Sequence, residues 1–359
     1  MRKTSITESM GEWSEVYVFL RLLADGKLFS ADKDVNRIEN IYFPIIKIIR
    51  QEIANMPYEY RPNQPDSMIM IYLGAKQVMC LPVAIFQSEA ARLLAEINTG
   101  TGSFEVPKTE EFIRSIHMTK LKAPSMNKSD INIHIHYINT GFEHIAGFSI
   151  KSELGNPPTL LNAGQTTNFI YKVEGLGFKH IKEINSIDTH TKLKDRMKFM
   201  SDLGGKLIYK HLENKVFNNN LIMIDSQMPV IVAELLVGFY SGVSSNCLRL
   251  VDYVCDRNPL SRNRKFYQHK IKEMLCSIAL GMKPATEWDG TDEASGGYII
   301  VKTNGDVLAY HIYNRDAFKE YLLNNTVLDK PSSSRHGYGV LYEHDGEIYI
   351  KLNLQIRFM

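Results

Sequence analysis

Between Asp130 and Leu154 the chain alternates apolar and polar residues in two successive runs with a turn sequence between them. Ile131, Ile133, Ile135 and Tyr137 alternate with Asn132, His134 and His136, the period-two pattern of a half-buried strand that Asp130 opens on the polar parity. After Asn139-Thr140-Gly141, the residues Ile145 to Leu154 predict a second strand, with Phe148, Ile150 and Ser152 on one face and Ser149, Lys151 and Glu153 on the other. If the two strands pair as a hairpin, the Asp130 carboxylate and the Lys151 ammonium meet near one point. The fold must then contain a sheet with a polar end.

An acid and a lysine so placed suit the hydrolysis of a phosphodiester. The carboxylate and substrate oxygens would hold Mg²⁺, a hard cation that prefers oxygen ligands, and the lysine would stabilise charge on the phosphorus oxygens or orient a water. The plain alternative is two surface residues at strand ends. His134 and His136 offer a competing reading, because His-x-His on a strand face can ligate zinc or iron, but no third ligand follows at a telling spacing.

With 359 residues and 44% hydrophobic content the chain can bury a core in one large or two modest domains. Cys80, Cys247, Cys255 and Cys276 show no CxxC spacing, and the N-terminus lacks the residue order of a secretion signal, so reduced thiols in a cytoplasmic protein are expected. The apolar stretch Pro229 to Tyr240 is interrupted by Glu234 and is too short to span a bilayer, so no membrane role is expected. A net charge of +2 does not mark a nucleic-acid binder. Distribution says more: Lys192, Lys194, Arg196, Lys198, Lys206 and Lys210 form one basic cluster, and Arg257, Arg262, Arg264, Lys265, Lys270 and Lys272 a second. Such clusters neutralise phosphates or simply solvate a helix face.

Along the chain, Trp13, Tyr17, Leu20 and Leu23 recur at helical spacing and predict a helix over Gly11 to Ala24. Strands are expected at Pro44–Arg50, Met68–Tyr72 and Gln77–Leu81, and helices at Pro82–Ile97 and Thr109–His117. A polar loop, Ala123 to Ser129, leads to Asp130. Asn162 to Asn168 reads as a loop before a strand at Phe169–Val173, and helical patterns dominate from Phe178 to Met282. Asn304-Gly305 and Asp345-Gly346 then mark two hairpins, with a helix over Asp316–Leu323 and a Ser-rich polar loop over Lys330–Tyr338 between them. The expected fold is α/β, a central mixed sheet with flanking helices and a β-rich C-terminal portion. Three ranges are expected, unless the whole is one compact domain: 1–122, an α/β region; 123–290, a core and helical region; and 291–359, the hairpin region.

Three blocks, Gly11-Glu12-Trp13-Ser14-Glu15, Phe148 to Phe169 and Tyr310 to Phe358, resemble the HpaII-type restriction endonucleases over nearly the whole chain. The resemblance implies a restriction-endonuclease core of the PD-(D/E)xK kind that cuts duplex DNA at CCGG between the first two bases. It further implies a two-base 5′ overhang, Mg²⁺ as cofactor and a cognate DNA methyltransferase in the same cell. Lys151 fits the motif, but Ser129 stands where Pro is usual and Ser149 where an acid is usual. Some enzymes reading CCGG-containing sites take the missing acid from fourteen residues past the lysine; that position is Gln165, a neutral amide. Glu153 and Glu15 are the alternatives, and Glu15 is favoured because an N-terminal helix often supplies a glutamate beside such sites.

For base reading, the arginine fork matches guanine O6 and N7, each bidentate pair discriminating by roughly 1–3 kcal/mol. Arg335 with His336 in the Ser-rich loop comes first, then Arg262 and Arg264, whose other role would be phosphate contact; Asn162 is a further DNA-contact candidate. A palindromic site predicts a homodimer, at least on DNA. The competing functions are a sequence-specific DNA-binding protein that has lost catalysis, given Ser149 and Gln165, and a nuclease of similar core with another specificity.

Overall fold

The computed structural model describes residues 7–53, 56–119, 121, 129–138, 140–311 and 314–359. The loop expected over Ala123 to Ser129 lies outside the described residues except for Ser129, and Asn139 of the expected turn lies outside them too. The elements run β1 (Thr7–Ser9), α1 (Met10–Asp25), β2 (Lys27–Ala31), β3 (Arg37–Ile53), β4 (Met56–Asn63), β5 (Met68–Leu73), β6 (Lys76–Pro82), α2 (Val83–Thr99), β7 (Ser103–Glu105) and α3 (Pro107–Ser115). Next come β8 (Ile131–Tyr137), β9 (Phe142–Ser152), β10 (Thr159–Leu161), a 3-10 turn at Gln165–Thr167, β11 (Asn168–Glu174), α4 (Lys179–Asn185), α5 (Lys192–Asp202), β12 (Lys206–Leu212), α6 (Lys215–Ile224), α7 (Met228–Tyr240), α8 (Cys247–Arg257) and α9 (Arg264–Leu280). The chain closes with β13 (Gly297–Val301), β14 (Val307–His311), α10 (Arg315–Asn324), β15 (Thr326–Leu328), α11 (Ser333–His336), β16 (Leu341–His344), β17 (Glu347–Asn353) and β18 (Ile356–Phe358).

Two compact units result, and each is built from separated stretches of chain. Unit 1 comprises Met1–Pro158 and Glu293–Phe318; unit 2 comprises Thr159–Asp292 and Lys319–Met359. The two C-terminal hairpins therefore go different ways: β13–β14 belongs to unit 1 and β16–β17 to unit 2.

Unit 1 holds a mixed sheet in the order β2-β14-β13-β9-β8-β3-β4-β5-β6, and a further β2–β3 pairing joins the first strand of that order to the sixth. Two of its pairings, β13 with β9 and β14 with β2, are parallel and the others antiparallel. The expected central mixed sheet with flanking helices is present. Helix α1 packs on β2, β3, β4, β9 and β14 and buries Trp13, Val16, Tyr17, Phe19, Leu20 and Leu23. Its start is fixed by a capping box: Ser9 Oγ accepts from the Glu12 backbone N–H while the Glu12 carboxylate accepts from the Ser9 N–H. Tyr17 donates to the Gly305 carbonyl at 2.6 Å, tying α1 to the turn of the β13–β14 hairpin. Gly305 lies at φ +87, and a Cβ there would meet the Tyr17 hydroxyl at 2.8 Å.

Unit 2 contains a four-stranded antiparallel sheet, β12-β11-β17-β16, and a three-stranded one, β10-β18-β15. Helix α7 is buried on nearly every side, and the Tyr171 hydroxyl donates to its Ala233 carbonyl at 2.8 Å. The apolar stretch at Pro229 is thus a core helix, and no single helix among the described residues is long and apolar enough to cross a membrane. Strand β12 interrupts the run expected to be helical from Phe178 to Met282. Among the described residues none of the four cysteines is in a disulfide; Cys247 and Cys276 are buried and Cys80 is exposed.

Candidate active site

The hairpin expected from the alternation forms as β8 and β9, antiparallel, with Ile131 opposite Phe148 and Tyr137 opposite Phe142. Asp130 sits at its mouth, where its backbone N–H donates to the Phe148 carbonyl at 2.8 Å. Its carboxylate oxygen Oδ2 accepts from the Ile150 N–H at 2.7 Å and the Ser149 hydroxyl at 3.1 Å. Ser149, in the position of the motif's acid, is therefore a buried donor that orients Asp130. Gly147 makes this possible: a Cβ there would fall 2.0 Å from Ser129 Oγ, and that hydroxyl donates to the Glu293 carbonyl at 3.2 Å. The Ser129-Asp130 pair is thus laid across a glycine and stitched to the segment leading into β13.

Lys151 follows on β9, which runs parallel to β13 with Ile300 opposite Lys151. Its ammonium lies 6.0 Å from the centroid of the Tyr298 ring and forms no ion pair among the described residues. The adjoining cavity, about 360 Å³, is lined by Glu15, Lys151, Ser152, Ser9 and Asn156, with Gly11, Gly102 and Gly155 leaving room around them. Ser152 is joined to α1 by the Ser14 hydroxyl at 2.8 Å.

Glu15 completes the group from α1. Its Oε2 is buried without a hydrogen-bond partner. Burial, and then the negative charge of Asp130, push its carboxyl up to about 8, while the Lys151 and Arg50 cations pull the other way. A buried carboxyl held protonated beside a second carboxylate is a poor resting arrangement in the absence of a cation, and a good one for receiving it. Among the described residues no set of three or more His, Cys, Asp or Glu is arranged to hold a metal. Two carboxylates suffice for Mg²⁺, which keeps several waters and takes further oxygens from a phosphate. The donor set of Asp130 and Glu15 fits that ion.

The remaining candidates fall elsewhere. Burial raises the Glu153 carboxyl above its ordinary value, and the charge of Lys302 offsets this only in part. His134 and His136 both approach the Glu143 carboxylate, at 3.7 and 3.5 Å. Gln165 and Asn162 belong to unit 2, exposed in and before the 3-10 turn. Arg335 is exposed on α11, and the His336 carbonyl accepts from Asn168 Nδ2 at 3.0 Å. Arg262 and Arg264 are exposed at the start of α9, with Arg264 paired to Asp252 at 2.5 Å. Arg196, counted in the first basic cluster, is buried and donates to the carbonyls of Ile187, Asn185 and Gly339, so it binds backbone. The residues missed in the sequence are Ser9, Ser152 and Asn156. Ser9-x-x-Glu12 ahead of an apolar run was a readable helix-start signal; the other two had none.

The central mixed sheet with its flanking helices is that of a restriction-endonuclease-like fold, and Asp130, just ahead of β8, Lys151 on β9 and Glu15 on α1 gather at the mouth of its β8–β9 hairpin. The chain belongs to the HpaII restriction endonuclease family, whose model matches residues 9–358, and it is a type II site-specific deoxyribonuclease, a hydrolase. It is 40% identical over 355 residues, 97% of this chain and 98% of the relative, to the type II restriction enzyme HpaII of Haemophilus parainfluenzae. No solved structure matches the chain.

Proposed function

We propose that the protein cuts duplex DNA at CCGG, as C/CGG, by Mg²⁺-dependent hydrolysis, acting as a cytoplasmic homodimer alongside a cognate methyltransferase. The observation that carries the cofactor reading is the unpaired, buried Glu15 Oε2 beside Asp130 and Lys151. The CCGG reading rests on likeness to the HpaII relative. When bound, Mg²⁺ would supply Lewis-acid polarisation of the phosphodiester and acidify a water.

The chain's own groups would do the rest. Asp130, held by the Ile150 N–H and the Ser149 hydroxyl, keeps one geometry through the reaction. Glu15 would release its proton to solvent and, with Asp130, would hold the ion. Lys151 places its ammonium against charge gathering on the phosphoryl oxygen as water attacks phosphorus in line. The bond from phosphorus to the 3′ oxygen breaks, leaving a 3′-hydroxyl and a 5′-phosphate. Arg335 and His336 of unit 2, with Arg262, Arg264 and Asn162, would supply the base and backbone contacts.

The rival reading is a related nuclease of another specificity. Incubating plasmid with the purified protein separates the two. The proposal expects discrete fragments ending at CCGG with Mg²⁺ and none with a chelator; intact plasmid in both would defeat it.

A further inference from the structure

Unit 2 carries an open notch of about 450 Å³ between the residues entering α5 and the segment entering α11. One wall presents His190, Thr191 and Lys192, and the other Lys330, Ser332 and Ser334. No carboxylate lines it. Lys330 forms no ion pair among the described residues, and its ammonium lies 5.5 Å over the Phe239 ring. The Ser332 and Ser334 hydroxyls lie 3.2 Å apart. Two acids stand behind the first wall: Asp188 pairs with Lys192 at 2.8 Å, and Asp195 accepts from the Thr191 hydroxyl at 3.0 Å. The Asp188 side chain is 78% exposed, and exposed pairs of this kind contribute little and exchange readily.

The segments flanking both walls are tied by hydrogen bonds. The buried Arg196 guanidinium donates to the Ile187 and Asn185 carbonyls on one side and to the Gly339 carbonyl on the other. Asn185 exchanges two hydrogen bonds with the Leu341 backbone, each 2.8 Å, and the Tyr338 hydroxyl donates to the Pro331 carbonyl at 2.7 Å. Leu193 and Pro331 line the notch as well, but its polar side chains are ammonium groups, an imidazole and hydroxyls, a set that suits an anion rich in acceptor oxygens.

We propose that this notch grips a backbone phosphate of duplex DNA, fixing the register of unit 2 on the duplex without reading its sequence. The proposal rests on the reading of the protein as an endonuclease of duplex DNA. Its test is equilibrium binding, in Ca²⁺, to a duplex containing CCGG and to one lacking it, across a salt series. Lys192→Ala/Lys330→Ala is expected to weaken both duplexes by the same factor and to reduce the slope of log affinity against log salt by about 0.9, the value for one phosphate. Lys330→Arg should retain the wild-type slope.

A double variant with the wild-type slope would overturn the proposal, as would one that changes the preference between the two duplexes, since that marks base reading. Wild-type cleavage of the CCGG duplex in Mg²⁺, run alongside, keeps the two claims apart. If the wild type cuts and the slope stands unchanged, only the notch fails. If the wild type neither binds nor cuts, both readings fall.

Discussion

At Glu15 the carboxyl is pushed up to about 8 by burial and by Asp130, from an ordinary value of 4.5. The folded state therefore holds this proton more tightly than the unfolded chain does. The stability it contributes is complete below about pH 4.5 and is lost as pH rises toward 8. With metal chelated, Glu15→Gln is expected to flatten this loss, so that wild type gives up about 3–5 kcal/mol more than the variant between those limits. Thermal unfolding across the pH range measures it, and parallel curves would remove Glu15 from the buried site. Added Mg²⁺ should restore wild type at pH 8 and leave the variant unchanged. In the sequence Glu15 was favoured as the extra acid on the strength of the resemblance, and nothing in its own spacing showed its surroundings. What raises its carboxyl is the approach of α1 to the mouth of the β8–β9 hairpin, which depends on residues more than a hundred positions away.

The elements divide by how local their causes are. Strands β8 and β9 announced themselves by alternation, α1 by the spacing of Trp13, Tyr17 and Leu20, and the two hairpins by Asn304-Gly305 and Asp345-Gly346. Strands β2, β4 and β12 did not, since their burial is decided by distant neighbours. The parallel pairing of β9 with β13 joins Lys151 to Ile300, and no local period carries that. Gly147 tests the hairpin mouth: in Gly147→Ala the new methyl displaces Ser129 and with it Asp130. The expected result is a loss of cleavage of about 10²-fold, the scale of a 1 Å misplacement. Full activity would show that the Ser129-Asp130 crossing does not position the site.

The same sheet buries His311 at the end of β14, 2.9 Å from the Tyr137 hydroxyl, and burial lowers its pKa to about 4. Its unfolded value is 6.5, so stability is complete above that and is lost as pH falls from 6.5 toward 4. His311→Phe is expected to reduce the acid sensitivity of unfolding over that window. An unchanged acid limb would mean that the ring is hydrated in the native state.

At the scale of the whole molecule, the chain reaches unit 2 after Pro158, returns to unit 1 at Glu293 and leaves again after Phe318. Local pattern gave no sign of these crossings, because they follow from which strands complete which sheet. The candidates Asp130, Ser149, Lys151, Glu153 and Glu15 lie in unit 1, whereas Arg335, His336, Arg262, Arg264, Asn162 and Gln165 lie in unit 2. A palindromic target predicts two protomers per CCGG duplex, which sedimentation in Ca²⁺ would register; one protomer per duplex would count against the dimer. The most direct measurement is single-turnover cleavage of a CCGG duplex in Mg²⁺ by wild type and Lys151→Ala, with binding measured in Ca²⁺. Wild type should cut both strands at C/CGG while Lys151→Ala binds the same duplex with similar affinity and cuts at least about 10³-fold more slowly; cleavage by Lys151→Ala at the wild-type rate would contradict the account.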